Sequence, residues 1–271
     1  MGAELAGEAS LAATTLVGRR AVLVIAHPGH ELRVHGWLEL ARPAVCVLTD
    51  GSGHSAPSRL VSTTAILRRT GARPGPVYGR LTDRELYAAV LARDANPFVG
   101  IAREFAEFLA AERATYVVGD AIEGYNPAHD LCRVLIEAAV EVAGGSASSW
   151  DFPLIGPPDA GLASLSAPPV SLTLDDAAFA RKLAAAHAYT ELAGEVTSAV
   201  GSGSADVFRL ECLRPADANA RSGTPPADPP YYERHGERQV AAGRYPEVLR
   251  WRTHLAAVVR ALRIELGLGV A

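Results

Sequence analysis

The stretch that decides the fold is Ala-Val-Leu-Val-Ile-Ala-His-Pro-Gly-His-Glu, residues 21–31. Its first six residues are all apolar. Such a run, rich in valine and isoleucine and bounded by Arg20 and Pro28, is typical of a strand buried on both faces of a sheet. A second run of this kind, AVCVLT, covers residues 44–49, and residues 31–41 between the two have the apolar spacing of a helix. A strand, a helix and a strand in this order predict a parallel sheet with a right-handed crossover.

The same alternation continues along the chain. It predicts a third buried strand over residues 115–119, a late strand over 208–213, and helices over residues 61–70, 85–92, 97–112, 131–143, 174–200 and 246–266. Residues 144–170, rich in Gly, Ser and Pro, predict an irregular crossing, and residues 214–230, with five prolines, predict an exposed loop. The predicted fold class is therefore α/β, a Rossmann-like three-layer sandwich with a mostly parallel sheet and an elaborated C-terminal part.

The chain length limits the domain organisation, and the net charge limits the class of partner. The chain has 271 residues, of which 49% are hydrophobic, and this suffices for one substantial core. We expect an N-terminal extension over residues 1–18 and a single domain over 19–271, with its core in 20–200 and a C-terminal loop and helix in 201–271. The 30 acidic and 26 basic residues give a net charge of -4, without the basic excess that is typical of nucleic-acid-binding proteins.

The N-terminus and the cysteines indicate the compartment. No apolar stretch reaches the roughly 20 residues needed to span a bilayer. Arg19 and Arg20 follow the apolar part of the N-terminus, whereas a secretory signal places its positive charge first. Cys46, Cys132 and Cys212 are too far apart for a metal knuckle or a disulfide framework, and we interpret them as core residues. We therefore expect a cytoplasmic protein that acts on a small molecule and contacts neither nucleic acid nor a membrane. Whether the protein forms an oligomer stays an open question.

Polar loops follow all three predicted buried strands, at residues 27–31, 50–54 and 120–130. Because the carboxyl ends of parallel strands meet at one edge of the sheet, these loops should lie together. His27 and His30, stiffened by Pro28, can turn toward one point that His129 could also reach. Three protein ligands with an open position are typical of catalytic zinc, and imidazole also suits iron, nickel or copper. A short His-x-x-His is also common on surface loops, and His54 is either a solvated loop tip or a substrate contact.

Other polar side chains in these loops are candidates for chemistry. Glu123 could act as general base toward a metal-bound water, or it could be a solvated loop carboxylate. Four residues are candidates for contact with a substrate: Glu31, Asp50, Arg59 and Tyr125. Glu31 could instead orient its loop, Asp50 could cap its own turn, Arg59 could be solvated and Tyr125 could simply pack. The cluster PYYERHGE at residues 230–237 suggests a lid or substrate wall, or a surface turn, which we favour.

The run VLVIAHPGHE, residues 22–31, resembles the start of the PIG-L/LmbE-like family of metal-dependent N-deacetylases, whose signature after the first strand is Ala-His-Pro-Asp-Asp-Glu. Residues 48–51, LTDG, followed by Gly53, also resemble that family. So does NPAH at residues 126–129, which stands before a helix where the family has His-Pro-Asp-His. The resemblance covers roughly residues 20–140, with the motifs in the family's order.

The resemblance implies a divalent metal ion, zinc in first place, held by His27, His30 and His129. His30 stands where the family has an aspartate ligand. The family's general base falls at Gly29, which has no side chain. Asn126 stands where the family has a histidine, and an amide can donate to an oxyanion but cannot shuttle a proton at neutral pH. Arg59 follows the second loop roughly where family members keep an arginine that contacts substrate.

Together these residues predict a metal-dependent hydrolase that deacylates an N-acyl amino sugar or a sugar-derived metabolite. Glu123 would manage the proton and Asn126 would steady the oxyanion. Because the family base is missing, a non-hydrolytic metalloenzyme (a lyase, isomerase or oxygenase) is one alternative, and a catalytically inactive sugar- or metabolite-binding homologue is another. If position 29 still faces the metal, Gly29→Asp should raise hydrolysis.

Overall fold

The computed structural model describes residues 16, 18–53, 57–162, 165, 167–201, 205–217 and 219–269. The N-terminal extension expected over residues 1–18 lies almost entirely outside the described residues, and His54 lies outside them as well.

Seven strands form one sheet in the described part of the chain. They are β1 Ala21–Ile25, β2 Ala44–Thr49, β3 Arg73–Leu81, β4 Tyr116–Asp120, β5 Ser148–Phe152, β6 Val170–Thr173 and β7 Leu210–Pro215. Their spatial order is β3-β2-β1-β4-β5-β7-β6. The first five strands of this order are parallel, and β7 runs antiparallel to both β5 and β6. The α/β class and the mostly parallel sheet predicted from the sequence are confirmed.

Helices cover both faces of the sheet. They are α1 His35–Ala41, α2 Leu60–Thr70, α3 Asp83–Leu91, α4 Asn96–Glu112, α5 Pro127–Val142, α6 Asp176–Ala188, α7 Ala193–Gly201, α8 Asn219–Ser222, α9 Tyr231–Ala241 and α10 Ala256–Glu265. Short 3-10 turns occupy His30–Val34, Thr190–Leu192 and Ala205–Arg209, and a π-helical turn occupies Trp251–Leu255. None of the described helices combines the length and apolarity required to cross a bilayer.

Successive core side chains of each central strand point to opposite faces of the sheet. In β1, Val22 and Val24 pack with α4, α5 and α10, whereas Leu23 and Ile25 pack with α1, α2 and α6 on the other face. This is the period-two pattern of a strand that is covered on both sides. The parallel register carries the ends of β1, β2 and β4 to one edge, where the three polar loops emerge.

The sequence pattern missed three strands, β3, β5 and β6. Strand β6 falls between the predicted irregular crossing and the predicted helix over residues 174–200. Strand β3 contains Pro74, Gly75 and Pro76, which read as turn residues, but it lies at the edge of the sheet, where a missing N–H is tolerated. Strand β5 lies inside the region predicted to be an irregular crossing, residues 144–170. Its sequence, SSWDF, lacks the continuous apolar run on which the strand prediction depended, because the strand is only half buried.

The helix predicted over residues 174–200 is interrupted. Helix α6 ends at Ala188, Tyr189 leaves the helical conformation, and a 3-10 turn leads into α7. The break turns the ring of Tyr189 into the core, where its hydroxyl bonds to Oγ1 of Thr63 at 2.9 Å and to the carbonyl of Arg59 at 3.2 Å. Tertiary packing therefore overrides a continuous helical pattern here.

The interpretation of residues 230–237 as a surface turn is wrong, because these residues begin α9. Tyr232 and Glu233 are buried, and Glu233 accepts the backbone N–H of Trp251 at 2.8 Å. The region predicted to be a proline-rich loop contains the short helix α8, and the closing helix begins with the π-helical turn at Trp251–Leu255, later than the sequence pattern places it.

One buried carboxylate ties the C-terminal strands to the first half of the sheet. Glu211 of β7 accepts the backbone N–H groups of Gly36 and Trp37, both at 2.9 Å, in the first turn of α1. It also forms an ion pair with Lys182 of α6, 2.8 Å between Nζ and Oε1, and both residues are buried. Glu211 therefore satisfies donors at the start of a helix that has no side-chain cap of its own.

We expect Glu211→Ala to lower the free energy of unfolding by about 3–5 kcal/mol, because it leaves Lys182 buried without its carboxylate, with the carbonyl of Arg33 as its remaining contact. Urea unfolding followed by circular dichroism measures this change. Glu39→Gln is the matched control: it removes a partner of the exposed Arg181 and should cost no more than about 1 kcal/mol. Equal losses of unfolding free energy in the two variants would contradict the role of Glu211 as the buried partner of Lys182.

Candidate functional site

Three histidines from two loops meet at the carboxyl edge of the sheet. His27 and His30 follow β1, and His129 lies in the first turn of α5. Their ring centroids are 5.3 Å apart for His27 and His30, 5.2 Å for His27 and His129, and 4.6 Å for His30 and His129, all edge to face. The structure thus brings the three histidines predicted from the sequence into one cluster.

Carboxylates hold two of these rings. Nδ1 of His27 lies 2.8 Å from Oγ1 of Thr49 and 3.0 Å from Oδ1 of Asp83. Burial opposes the charge on Asp83, but the contacts with His27 and Thr49 outweigh it and hold the pKa of Asp83 below its usual range. Nδ1 of His30 lies 3.0 Å from both oxygens of Asp120. The hydroxyl of Thr49 already donates to the carbonyl of Ala26 at 3.0 Å, so it accepts from His27, and the carboxylate of Asp120 accepts from His30. These contacts assign the proton to Nδ1 of both rings and leave Nε2 with its lone pair.

Asp120 is itself fixed in place. It is the last residue of β4 and is fully buried. Its Oδ2 accepts the backbone N–H of Ala26 at 2.8 Å, at the point where β1 ends. Its carbonyl accepts Nε of the buried Arg133 at 2.8 Å, and Arg133 reaches on to the carbonyl of Trp150 on β5. Asp120 is therefore fixed through its carboxylate at the end of β1 and through its carbonyl by Arg133 of α5.

The donor set of the cluster fits a divalent metal ion. Nε2 of His27 and Nδ1 of His129 are buried without a hydrogen-bond partner. Burial, reinforced by His30 and His27, lowers the pKa of His129 well below its usual range, so this ring is neutral and keeps a lone pair. Buried unpaired nitrogens cost free energy unless a ligand satisfies them, and carboxylate-backed imidazoles are typical metal ligands. Among the described residues, no three His, Cys, Asp or Glu side chains already stand in the arrangement of an ion site, so the ligand assignment stays a prediction.

Position 29 does not offer room for a general base. Gly29 has φ 108°, and a Cβ built there would lie 2.3 Å from Cδ1 of Leu192 and 3.7 Å from Cζ of Tyr189. Tyr189 and Leu192 belong to the segment that separates α6 from α7. A side chain at position 29 would first meet Leu192 and Tyr189, which argues against a rise in hydrolysis in Gly29→Asp. That expectation stays a prediction.

Glu31 fixes the backbone of the first loop from its buried side. It is fully buried, and its Oε2 accepts the backbone N–H of Gly29 at 2.7 Å. Burial raises the pKa of Glu31 to about 7. Its full burial and its bond to Gly29 support the alternative, that Glu31 positions the His27–His30 loop. Its contact with a substrate stays a prediction.

Two carboxylates follow β4: Glu123 lies in the third loop, and Asp130 lies in the first turn of α5. Glu123 accepts the backbone N–H groups of Leu154 and Ile155, both at 3.1 Å. These bonds lower the pKa of Glu123, but burial outweighs them and raises it to about 6. Asp130 is fully buried and accepts the N–H groups of Glu123 and Gly124 through Oδ1, at 3.1 and 3.2 Å. Burial raises the pKa of Asp130 to about 7. Glu123 is thus tied to the loop after β5 and is not the freely solvated carboxylate of the alternative interpretation.

Asn126 is oriented from two sides. Its Oδ1 accepts the hydroxyl of Tyr87 at 2.9 Å and the backbone N–H of Ala128 at 2.8 Å. The second bond caps α5, which therefore begins at Pro127, earlier than the predicted start at residue 131. With Oδ1 engaged twice, the amide nitrogen Nδ2 is the group left to donate.

The remaining predicted substrate contacts have different surroundings. Asp50 caps its own turn, because Oδ1 accepts the N–H and the hydroxyl of Ser52 at 3.0 and 2.7 Å. Arg59 is half-buried, and its Nε is buried without a hydrogen-bond partner. Tyr125 is 42% exposed and stacks on Tyr231, with centroids 4.8 Å apart.

Sequence reasoning missed three residues that hold the site: Asp83, Tyr87 and Asp120. Asp120 directly follows the third predicted strand, so its position was a usable signal. Asp83 and Tyr87 lie on α3, whose start is marked by a capping box formed by Thr82 and Glu85. That motif predicts a helix and gives no indication that its first turn packs against His27.

The fold and the cluster define the class: an α/β protein with helices on both faces of a mostly parallel sheet and a histidine-rich site at the carboxyl edge of that sheet. No family model and no curated protein matches the chain. Among solved structures, the zinc-inhibited form of teicoplanin deacetylase Orf2 aligns over 73% of this chain and 99% of its own, with 12% identity and a TM-score of 0.49. The A40926 pseudoaglycone deacetylase Dbv21 aligns over 72% and 96%, with 16% identity and a TM-score of 0.48. A likeness this distant carries no conclusion about activity, substrate or metal.

We expect Gly29→Asp to destabilise the protein by about 1–3 kcal/mol, because the left-handed backbone is strained with any side chain and the new Cβ overlaps Leu192. Urea unfolding measures the loss. Gly144→Asp is the matched control, since Gly144 has φ 90° and open space around it. The loss at position 29 should exceed that at position 144, and adding Leu192→Ala should recover part of the difference. A Gly29→Asp protein as stable as Gly144→Asp would refute the overlap.

Proposed function

We propose that this protein is a metal-dependent hydrolase that removes an acyl group from the nitrogen of an amino sugar or sugar-derived metabolite, as a divergent relative of the PIG-L/LmbE-like N-deacetylases. The observation that carries the proposal is the cluster of His27, His30 and His129, with two buried ring nitrogens that have no partner. Three free, buried cysteines fit a cytoplasmic location.

His27, His30 and His129 would hold the ion, with zinc in first place and iron or another transition metal as the alternative. A divalent ion bound there would polarise the amide carbonyl and lower the pKa of a bound water. The contribution of Asp83 and Asp120 is to fix the tautomer and the orientation of two of the rings.

Glu123 is the group proposed to carry the proton. A carboxylate has about four lone-pair sites, so its two bonds to the backbone of Leu154 and Ile155 leave acceptor capacity. A pKa of about 6 lies close to neutral pH, where a general base also works well as the acid that returns the proton.

Asn126 is proposed to donate to the oxyanion. Tyr87 and the first turn of α5 hold its Oδ1, so Nδ2 is oriented before the substrate arrives. A donor fixed in advance stabilises developing charge without a reorganisation cost. Arg59, with its unpartnered Nε, and Tyr125 are the proposed contacts to the substrate; Asp50, which caps its own turn, would contact a substrate hydroxyl through its remaining oxygen.

A non-hydrolytic metalloenzyme is the second candidate. The observation that favours it is the apolar filling of position 29, where Leu192 and Tyr189 occupy the space that a carboxylate base would need. A lyase or isomerase that takes its proton carrier from another loop would use the same cluster.

The proposed reaction is tested by measuring acetate release from a panel of N-acetylated amino sugars and their glycosides by the zinc-loaded protein. We expect His129→Ala to abolish release and Asn126→Ala to lower kcat/KM by about 100- to 1,000-fold, the cost of losing one oxyanion donor. His187→Ala, which removes an exposed histidine of α6, is the control and should leave the rate unchanged. Release that persists in His129→Ala would defeat the site assignment, and substrate consumed without acetate would favour the second candidate.

The role of Asp120 is tested separately, by zinc affinity. We expect Asp120→Asn to weaken zinc binding by about 10- to 100-fold, because the amide no longer fixes the tautomer of His30. Competition with a chromophoric chelator measures the dissociation constant. Asp175→Asn keeps an N-cap at the start of α6 and should bind zinc like the unmodified protein. Unchanged affinity in Asp120→Asn would contradict this role.

A further inference from the structure

Exposed arginines lie along the amino edge of the sheet, on the side opposite the histidine cluster. They belong to the segments that lead into β1, β2, β3 and β4, and we call them the basic row: Arg19, Arg20, Arg42, Arg68, Arg69 and Arg113. Neighbouring strands lie about 4.8 Å apart, and these four strands are neighbours in the order β3-β2-β1-β4. The basic row therefore extends over about 14 Å.

The charge of the basic row is not compensated within the described part of the chain. Backbone carbonyls hold Arg19 and Arg20 in place, at 3.3 and 3.0 Å. No described Asp or Glu forms an ion pair with a member of the row, whereas Arg73 at the same edge pairs with Glu112 at 2.6 Å. The helices α1, α2, α4 and α5 end at this edge, and each C-terminus contributes about −0.5 elementary charge. The arginines exceed this by about four charges, so the helix dipoles alone do not account for the row.

An apolar cleft adjoins the basic row. It lies between the ends of α4 and α5, has a volume of about 400 Å³, and is lined by Leu109 and Val140 together with Arg113 of the row. Leu40 and Val142, in the last turns of α1 and α5, are 47% and 41% exposed at the same edge. Arginines beside apolar surface are typical of protein–protein interfaces. The phosphate backbone of a nucleic acid has no apolar side chain that could fill such a cleft, so a protein is the partner that suits both features.

We propose that the amino edge is a docking surface for a protein partner that presents an acidic amphipathic helix. Carboxylates one turn apart on a helix are about 5–6 Å apart, which is close to the spacing of the strands that set the basic row. Guanidinium groups bind carboxylates through paired hydrogen bonds. About nine residues of helix cover the 14 Å of the row, and an apolar side chain of the same helix would enter the cleft beside Arg113.

Docking at the amino edge leaves the histidine cluster accessible. The five residues of β1 separate Arg20 from the loop that carries His27, which corresponds to about 17 Å. A helix bound along the basic row therefore does not obstruct the carboxyl edge of the sheet. The docking surface goes beyond the proposed function and does not depend on it, and variants of the row should bind zinc like the unmodified protein.

Fluorescence anisotropy of a labelled helical peptide, with glutamates one turn apart on one face and leucines beside them, measures docking to the full chain. We expect micromolar binding at low salt that weakens as the salt concentration rises. Arg42→Glu/Arg113→Glu should weaken binding by about 10-fold or more, because it places like charges opposite each other. Ala110→Gln, at an exposed position that lines the cleft, should weaken binding of this peptide but not of one with alanine in place of leucine. Arg234→Glu/Arg238→Glu makes the same change in net charge at exposed arginines of α9, is the control, and should bind like the unmodified protein.

Several outcomes overturn the docking surface. Absence of peptide binding at low salt is one, and equal weakening by the two charge-reversed pairs, which would reduce the effect to net charge, is another. A uridine oligonucleotide or phosphatidylserine vesicles that bind more tightly than the peptide, and bind equally well to Ala110→Gln, would assign the edge to phosphate groups. Glu4 and Glu8 lie outside the described residues. Stronger peptide binding in Glu4→Gln/Glu8→Gln would make the N-terminal segment of the chain itself the occupant of the row, in place of a partner protein.

Discussion

The candidate site depends on the buried carboxylate of Asp120. Its oxygens accept the N–H at the end of β1 and hold Nδ1 of His30, while its carbonyl is bonded to Arg133. One residue thus fixes the separation of two strands and the orientation of a ring in the loop between β1 and α1. Because Asp120 is fully buried, salt screens these contacts far less than it screens a surface ion pair.

The carboxylate of Asp120 also matters for how the first motif of this chain differs from that of the family it resembles. His30 stands where that family has an aspartate, but Asp120 returns a negative charge directly behind the ring, and Asp83 does so behind His27. At position 29 the difference is of another kind, because a side chain there would meet Leu192. In the proposed hydrolase the proton carrier would therefore come from another loop.

Much of the architecture follows from sequence periodicity. The apolar runs of β1, β2 and β4 are buried on both faces, and the order of strands and helices leaves a parallel sheet as the compatible arrangement. Strand β3 could not be found this way, since its prolines are tolerated only because it is an edge strand. The convergence of the histidines was predictable because each follows a strand. The partner Asp83 and the filling of position 29 by Leu192 were not, because both come from side-chain packing between segments distant in sequence.

The central claim is that imidazoles from two loops bind one divalent ion, and zinc-edge X-ray absorption of the zinc-loaded protein tests it most directly. The account predicts one zinc per chain with three nitrogen neighbours at about 2.0–2.1 Å, and loss of the imidazole signal in His129→Ala. Zinc bound through sulfur, or a spectrum without imidazole scattering, would contradict it.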